Sequence, residues 1–143
     1  KADVDGAELV LHHANTGVPH TVVFVKDAKS VDVFKLGRII RNHGLFSPAG
    51  ANVDFVQVLG KNKIAVRTYE RGVEDETCAC GTGATASAAV SNLLKKTSFP
   101  TRVLTSGGEL LTIYRDSKNS SLYLEGKIKL ICDGELFLSE ITI

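Results

Sequence analysis

Short runs of β-branched and apolar residues cover most of the chain, and in two places their spacing changes to that of a helix. Glu8-Leu-Val-Leu-His12 and His20-Thr-Val-Val-Phe-Val25 predict two strands around the tight loop Asn15-Thr-Gly-Val-Pro19. Between Val31 and His43 the apolar residues Val33, Leu36, Ile39 and Ile40 recur at helical spacing. Ser30 or Asp32 is available as N-cap of this first helix, and Gly44 as the residue that ends it. Asn52–Leu59 and Ile64–Tyr69 then flank Gly60-Lys-Asn-Lys63 as a hairpin, which puts Glu70 where the second strand ends.

The second helix is predicted from Thr82 or Gly83 to Lys96. Its Ala84, Ala86, Ala88 and Ala89 are strong helix formers with little bulk, which suits a helix enclosed by a sheet. Lys95 and Lys96 complement the negative end of its dipole, and Pro100 lies beyond the stop. Further strands are predicted over Arg102–Ser106, Glu109–Asp116, Ser121–Gly126 and Lys127–Phe137, joined by Gly107-Gly108 and Lys118-Asn-Ser-Ser121. Runs of strands broken by two helices imply an α+β fold rather than strict βαβ winding. We expect a mostly antiparallel sheet curled around the second, central helix.

Length and charge narrow the context more than the activity. With 143 residues the chain is about one domain. Seventeen Lys and Arg against sixteen Asp and Glu, without a block of like charges, argue against nucleic acid or an anionic membrane as partner. The odd count of three cysteines makes a poor disulfide framework and fits a reducing cytoplasm. No apolar run reaches the ~18 residues of a membrane span, and Lys1-Ala-Asp-Val-Asp5 is not a signal segment. The absence of any methionine is what a piece of a larger protein would show.

The chemistry concentrates in Tyr69–Gly83. Cys80 stands at the mouth of the second helix, where the first backbone N–H groups lack partners and the dipole is positive, a setting that favours a thiolate. Taken singly, the neighbouring residues have plainer roles. Cys80 alone reads as a buried core cysteine, His20 as a satisfied loop histidine, Arg71 as a surface ion-pair partner and Asn52 as a turn residue. Cys78 reads as a small residue packed on the helix. Cys78, Cys80, Cys132 and scattered histidines do not make four ligands at zinc spacing, so no metal is expected. Gly81-Thr-Gly83 is not a phosphate loop, because the Gly-Lys-Ser/Thr ending is absent.

Four blocks together carry more than any residue alone. Gly17-Val-Pro-His20, Gly50-Ala-Asn-Val-Asp-Phe55, Glu70-Arg-Gly-Val-Glu-Asp-Glu-Thr77 and Ala79-Cys-Gly-Thr-Gly83 resemble, in order and spacing, the C-terminal half of the diaminopimelate epimerase family. The resemblance implies a cofactor-independent epimerase that converts LL-diaminopimelate to the meso isomer for lysine and cell-wall synthesis. Two cysteines would act on opposite faces of the reacting carbon, one as thiolate base and one as thiol acid, because a single base tends to return the proton to the face it left. Cys80 matches one of the pair. The other belongs to an Asn-Gly-rich loop of the family's N-terminal half, absent from these residues, so this chain alone is expected to be inactive.

The remaining roles also come from the resemblance. Gly81 and Thr82 match backbone donors to the reacting carboxylate. Asn52, Glu70 and Arg71 match the residues that bind the distal amino-acid end, and His20 and Glu70 those that tune the thiols. Two departures stand out. Val18 replaces an asparagine that contacts the distal end, which would open the site to a shorter amino acid such as glutamate. Cys132 lies near an aromatic position that supports a homodimer. Residues 1–126 are expected to form the C-terminal lobe and residues 127–143 a strand that completes the N-terminal lobe, leaving Ile131, Leu136 and Leu138 short of partners and open to self-association. The alternatives are a related racemase, of glutamate or proline type, and a non-catalytic amino-acid-binding fragment.

Overall fold

A computed structural model describes residues 1–135 of the chain. It opens with a hairpin that the apolar pattern did not predict, β1 (Ala2–Val4) and β2 (Ala7–Leu9), turned on Asp5 and Gly6 at φ 55 and 80. Asp-Gly suits a turn that needs positive φ at both central residues. The single strand expected over Glu8–His12 is therefore split between β2 and β3 (His12–Asn15). β4 (Pro19–Phe24) follows the expected loop.

The first helix, α1 (Val33–Arg41), is capped by Asp32, whose carboxylate accepts from the Lys35 N–H. Its far end is closed by Asn42 rather than by Gly44. The Asn42 amide donates to the Arg38 carbonyl, and Gly44 instead begins a 3-10 turn, Gly44–Phe46. β5 (Asn52–Gly60) and β6 (Lys63–Glu70) form the expected hairpin around Lys61-Asn62. A third strand, β7 (Asp75–Thr77), pairs with β6 although Asp-Glu-Thr has no strand signature. Its place is held by Glu76, which receives two bonds from the Arg67 guanidinium at 2.8 and 2.6 Å.

Helix α2 (Gly81–Leu93) starts a turn-fraction earlier and stops sooner than its composition suggests. Lys95 takes a left-handed φ of 58, and Lys96 folds back to place Nζ 5.0 Å from the centroid of Phe24. No basic residue therefore lies in the last turn. The chain continues through β8 (Thr101–Leu104), β9 (Leu110–Arg115) and β10 (Leu122–Glu125).

The large sheet runs β10-β9-β8-β6-β5-β4-β3, with β7 added beside β6. Six of the eight pairings among the described residues are antiparallel, in line with the expected class. The exceptions are the parallel pairs β4–β5 and β6–β8, each bridged by one of the helices, so two βαβ crossovers sit inside an otherwise antiparallel sheet. The sheet curls around α2, which touches β3, β4, β5, β6, β8, β9 and β10. Ala84, Ala86, Ala88 and Val90 pack there against Val22, Val56, Ile64, Val66, Val103 and Ile113. On the opposite face, α1 packs Val33 and Ile40 onto Val53, Phe55 and Tyr69, with Val4 of the first hairpin. Strand β5 is thus buried on both sides from Asn52 to Val56.

No strand forms over residues 127–135, and Ile128, Leu130 and Ile131 are 99, 84 and 88% exposed. An extended segment needs a partner edge to be a strand, and none is beside it among the described residues. Leu136, Phe137 and Leu138 lie outside the described residues.

Gly37 is where α1 meets Tyr69: a methyl there would fall 2.4 Å from the Tyr69 Cβ. Gly37→Ala therefore lowers stability by about 1–3 kcal/mol in urea unfolding despite the better helix propensity of alanine.

Candidate active site

Adjacent strand ends and one helix N-terminus converge on Cys80. His20 in β4 lies beside Asn52 of β5 in parallel register, and Asp54 lies opposite Thr68 of β6. Residues 52 and 54 share a face of β5 because strand side chains alternate with a period of two, and that face looks at the start of α2. Gly83 lets the helix sit this close, since a Cβ there would be 2.5 Å from the Asp54 carboxylate.

These groups form one hydrogen-bonded network. His20 and Asp54 are fully buried, with Nδ1 and Oδ2 2.8 Å apart. The other carboxylate oxygen accepts from the Thr68 hydroxyl at 2.8 Å. On the far side of the imidazole, Nε2 is 3.0 Å from the Thr82 hydroxyl and 3.3 Å from the Asn52 amide nitrogen. The Thr82 oxygen is in turn 3.4 Å from the Cys80 sulfur. Asn52 also joins the network to the turn after β6: its Oδ1 accepts the Arg71 N–H at 2.7 Å.

Cys80 is the N-cap of α2, and its half-buried sulfur accepts from the Gly83 N–H at 3.4 Å. The N–H groups of Gly81 and Thr82 have no partner among the described residues. The expectation of a thiolate is corrected here. Burial pushes the Cys80 thiol up and the Asp54 and Glu70 carboxylates add to it, while the Thr82 hydroxyl and the Gly83 N–H offset this only in part. Burial and the carboxylates together outweigh the two hydrogen bonds that favour a thiolate. Cys78, expected to pack on the helix, is exposed in the loop before it, where its carbonyl accepts from Gly107 N–H.

Arg71 is half-buried at the turn after β6, with Nη1 donating to the Ala49 carbonyl at 3.2 Å and Nε and Nη2 unpartnered among the described residues. Glu70, at the end of β6, is near enough to raise the thiol. Of the six singled-out positions, His20, Asn52 and Thr82 join Cys80 in one network, Gly81 follows it at the helix start and Glu70 is close enough to act on it, whereas Arg71 is tied in only by its backbone N–H and turns its guanidinium to Ala49. Asp54 and Thr68 were not foreseen. Asp54 stands within the Gly50–Phe55 block as a polar residue between Val53 and Phe55, and Thr68 follows Arg67 in β6 with nothing in the sequence to single it out.

Because its thiol is raised, Cys80 should alkylate slowly at neutral pH and keep gaining rate as pH rises beyond the ordinary cysteine range. A rate that levels off below that range, read with iodoacetamide by mass spectrometry, would contradict the assigned environment.

Comparison with known proteins is consistent across sequence and fold. The family model described as diaminopimelate epimerase matches residues 12–131. A diaminopimelate epimerase of Aquifex aeolicus is 52% identical over 136 residues, covering 93% of this chain and 48% of the relative. One from Archaeoglobus fulgidus is 45% identical and covers 96% of this chain and 47% of the relative. The chain thus spans about half the length of the curated relatives it matches. Among solved structures, a Bacillus anthracis phenazine biosynthesis protein of the PhzF family superposes with a TM-score of 0.54 at 18% identity, over 80% of this chain and 38% of that one, a likeness of fold. Four sequence blocks, a matching family model and close relatives agree: this chain belongs to the diaminopimelate epimerase family.

Proposed function

We propose that this chain supplies one half of a cofactor-independent, two-thiol epimerase that converts LL-diaminopimelate to the meso isomer in the cytoplasm, as a step toward lysine and peptidoglycan. The observation that carries the reading is Cys80 at the cap of α2, with the free N–H groups of Gly81 and Thr82 beside it. A substrate carboxylate held by those donors puts its α-carbon within reach of the sulfur, and the positive helix end stabilises charge that develops as the α-proton leaves. Cys80, a thiol at rest, acts as the acid on its face of the carbon while a thiolate from the other lobe removes the proton from the opposite face. In the reverse direction the two exchange roles.

Recognition of the distal end falls to the turn after β6. The unpartnered Nε and Nη2 of Arg71 suit a carboxylate, and Glu70 suits an ammonium. The exposed Ile128, Leu130 and Ile131 support an N-terminal lobe as the partner of this one, since burying them there removes apolar surface from water. In this reading the lobe alone is inactive.

The experiment combines this chain with the N-terminal half of a relative and follows deuterium uptake from heavy water at the α-carbon of diaminopimelate. We expect uptake only with both halves present, and a loss of at least ~100-fold in Cys80→Ala. Uptake that survives this substitution, or activity confined to glutamate or proline, refutes the assignment; silence in every combination favours a binding fragment.

A further inference from the structure

We propose that Glu74 is a positioning residue for recognition of the substrate's distal end: its carboxylate locks the turn after β6 and so fixes the direction in which Arg71 presents its guanidinium. The inference rests on the epimerase reading and deepens it, since in that reading Arg71 meets a carboxylate there.

The backbone of this turn is out of the ordinary. Gly72 and Glu74 take left-handed φ of 95 and 60, and only glycine adopts such a φ freely. A glutamate held in that region carries strain that a glycine would not, which directs attention to its side chain.

The Glu74 carboxylate gathers three donors. Oε1 accepts from the Gly72 N–H at 3.0 Å and from Arg41 Nε at 2.9 Å, and Oε2 accepts from the Tyr69 hydroxyl at 3.3 Å. These donors belong to the turn itself, to α1 and to β6, while the Glu74 N–H closes the turn on the Glu70 carbonyl at 2.8 Å. The Gly72 N–H above all, and then Arg41 and Tyr69, hold the carboxyl below the ordinary carboxylate range against a partial desolvation. An exposed Glu–Arg pair adds little stability by itself. Its effect here is geometric, because the Gly72 N–H has no other partner among the described residues.

Arg71 is supported from the other side as well. Asn52 Oδ1 takes its N–H at 2.7 Å, and the Ala49 carbonyl takes Nη1 at 3.2 Å. Ala49 precedes Gly50, where any side chain would strike the Arg41 guanidinium. Arg41 therefore touches both supports of Arg71, and Glu74 is the link between Arg41 and the turn. With that link in place the free Nε and Nη2 of Arg71 keep one direction; without it the turn pivots on the Asn52 bond and the guanidinium spreads over many. A clamp fixed before binding loses less freedom when a carboxylate arrives, which lowers KM and leaves the chemical step alone.

Two roles for Glu74 predict opposite signs. If it serves only the backbone, glycine, which suits a φ of 60, leaves the turn as tight or tighter; if its carboxylate is the lock, glycine loosens it.

Trypsin, which cuts after Arg71, distinguishes the two on the folded chain alone, with cleavage after Lys118 in the exposed β9–β10 loop as internal reference. Glu74→Gly is expected to speed cleavage after Arg71 at least ~5-fold relative to Lys118, because cleavage follows the population of the opened turn. With the N-terminal half of a relative added, the same variant should raise KM for diaminopimelate ~5-fold while kcat holds within ~2-fold. Cleavage after Arg71 that is unchanged, slower, or raised only in step with Lys118 overturns the lock, and so does a fall in kcat with KM unmoved. Should Glu74→Gly not melt as a folded chain, Glu74→Asn is read in the same way, since asparagine also tolerates that φ and is one methylene short of spanning Arg41 and Gly72. Unaltered halves that fail to epimerise diaminopimelate refute the epimerase reading alone, because the cleavage needs no substrate.

Discussion

A carboxylate with no access to water sits at the centre of this fold. Burying an ionised group is costly unless it is paired and hydrogen-bonded, and Asp54 meets the condition with His20 on one oxygen and Thr68 on the other. Those partners come from β4 and β6, the two neighbours of β5, so one side chain joins three strands beneath the start of α2. The approach of the helix depends on the same spot, because Gly83 packs where any side chain would strike the carboxylate. The register of the sheet and the seat of Cys80 are thus two consequences of one buried charge.

Packing around α2 explains how a sheet can close on a helix. Alanines on the buried face allow strands to pass on several sides, and the bulk of the core comes from valines and isoleucines of the sheet. On the outer face α1 makes the opposite choice, setting valine and isoleucine against Phe55 and Tyr69. The two crossovers give β5 a helix on each side, which is why its first half loses the alternation of a half-exposed strand.

Electrostatics at the helix mouth are a contest decided by surroundings. The α2 N-terminus favours a thiolate at Cys80, but burial and two carboxylates favour the thiol, and together they prevail. A resting thiol is the state required of the acid partner in a proton exchange across a carbon centre.

Local chemistry made much of this legible without coordinates. Spacing of Val33, Leu36, Ile39 and Ile40 located α1, the alanine run located α2, and Gly60-Lys-Asn-Lys63 located the central hairpin. The blocks around His20, Asn52, Glu70 and Cys80 marked the site, because helix periodicity, turn residues and motif spacing are short-range properties written in neighbouring positions. Tertiary structure alone decided the parallel pairings, the strand β7 held by Arg67, the failure of residues 127–135 to pair, and the protonation of Cys80. Asp54 is the clearest case: in the sequence it is one polar residue in an apolar strand, and its meaning arises only when His20, Thr68 and Thr82, far apart along the chain, arrive within hydrogen-bond distance of one another. Long-range contact sets burial and field, and neither is a property that adjacent residues can specify.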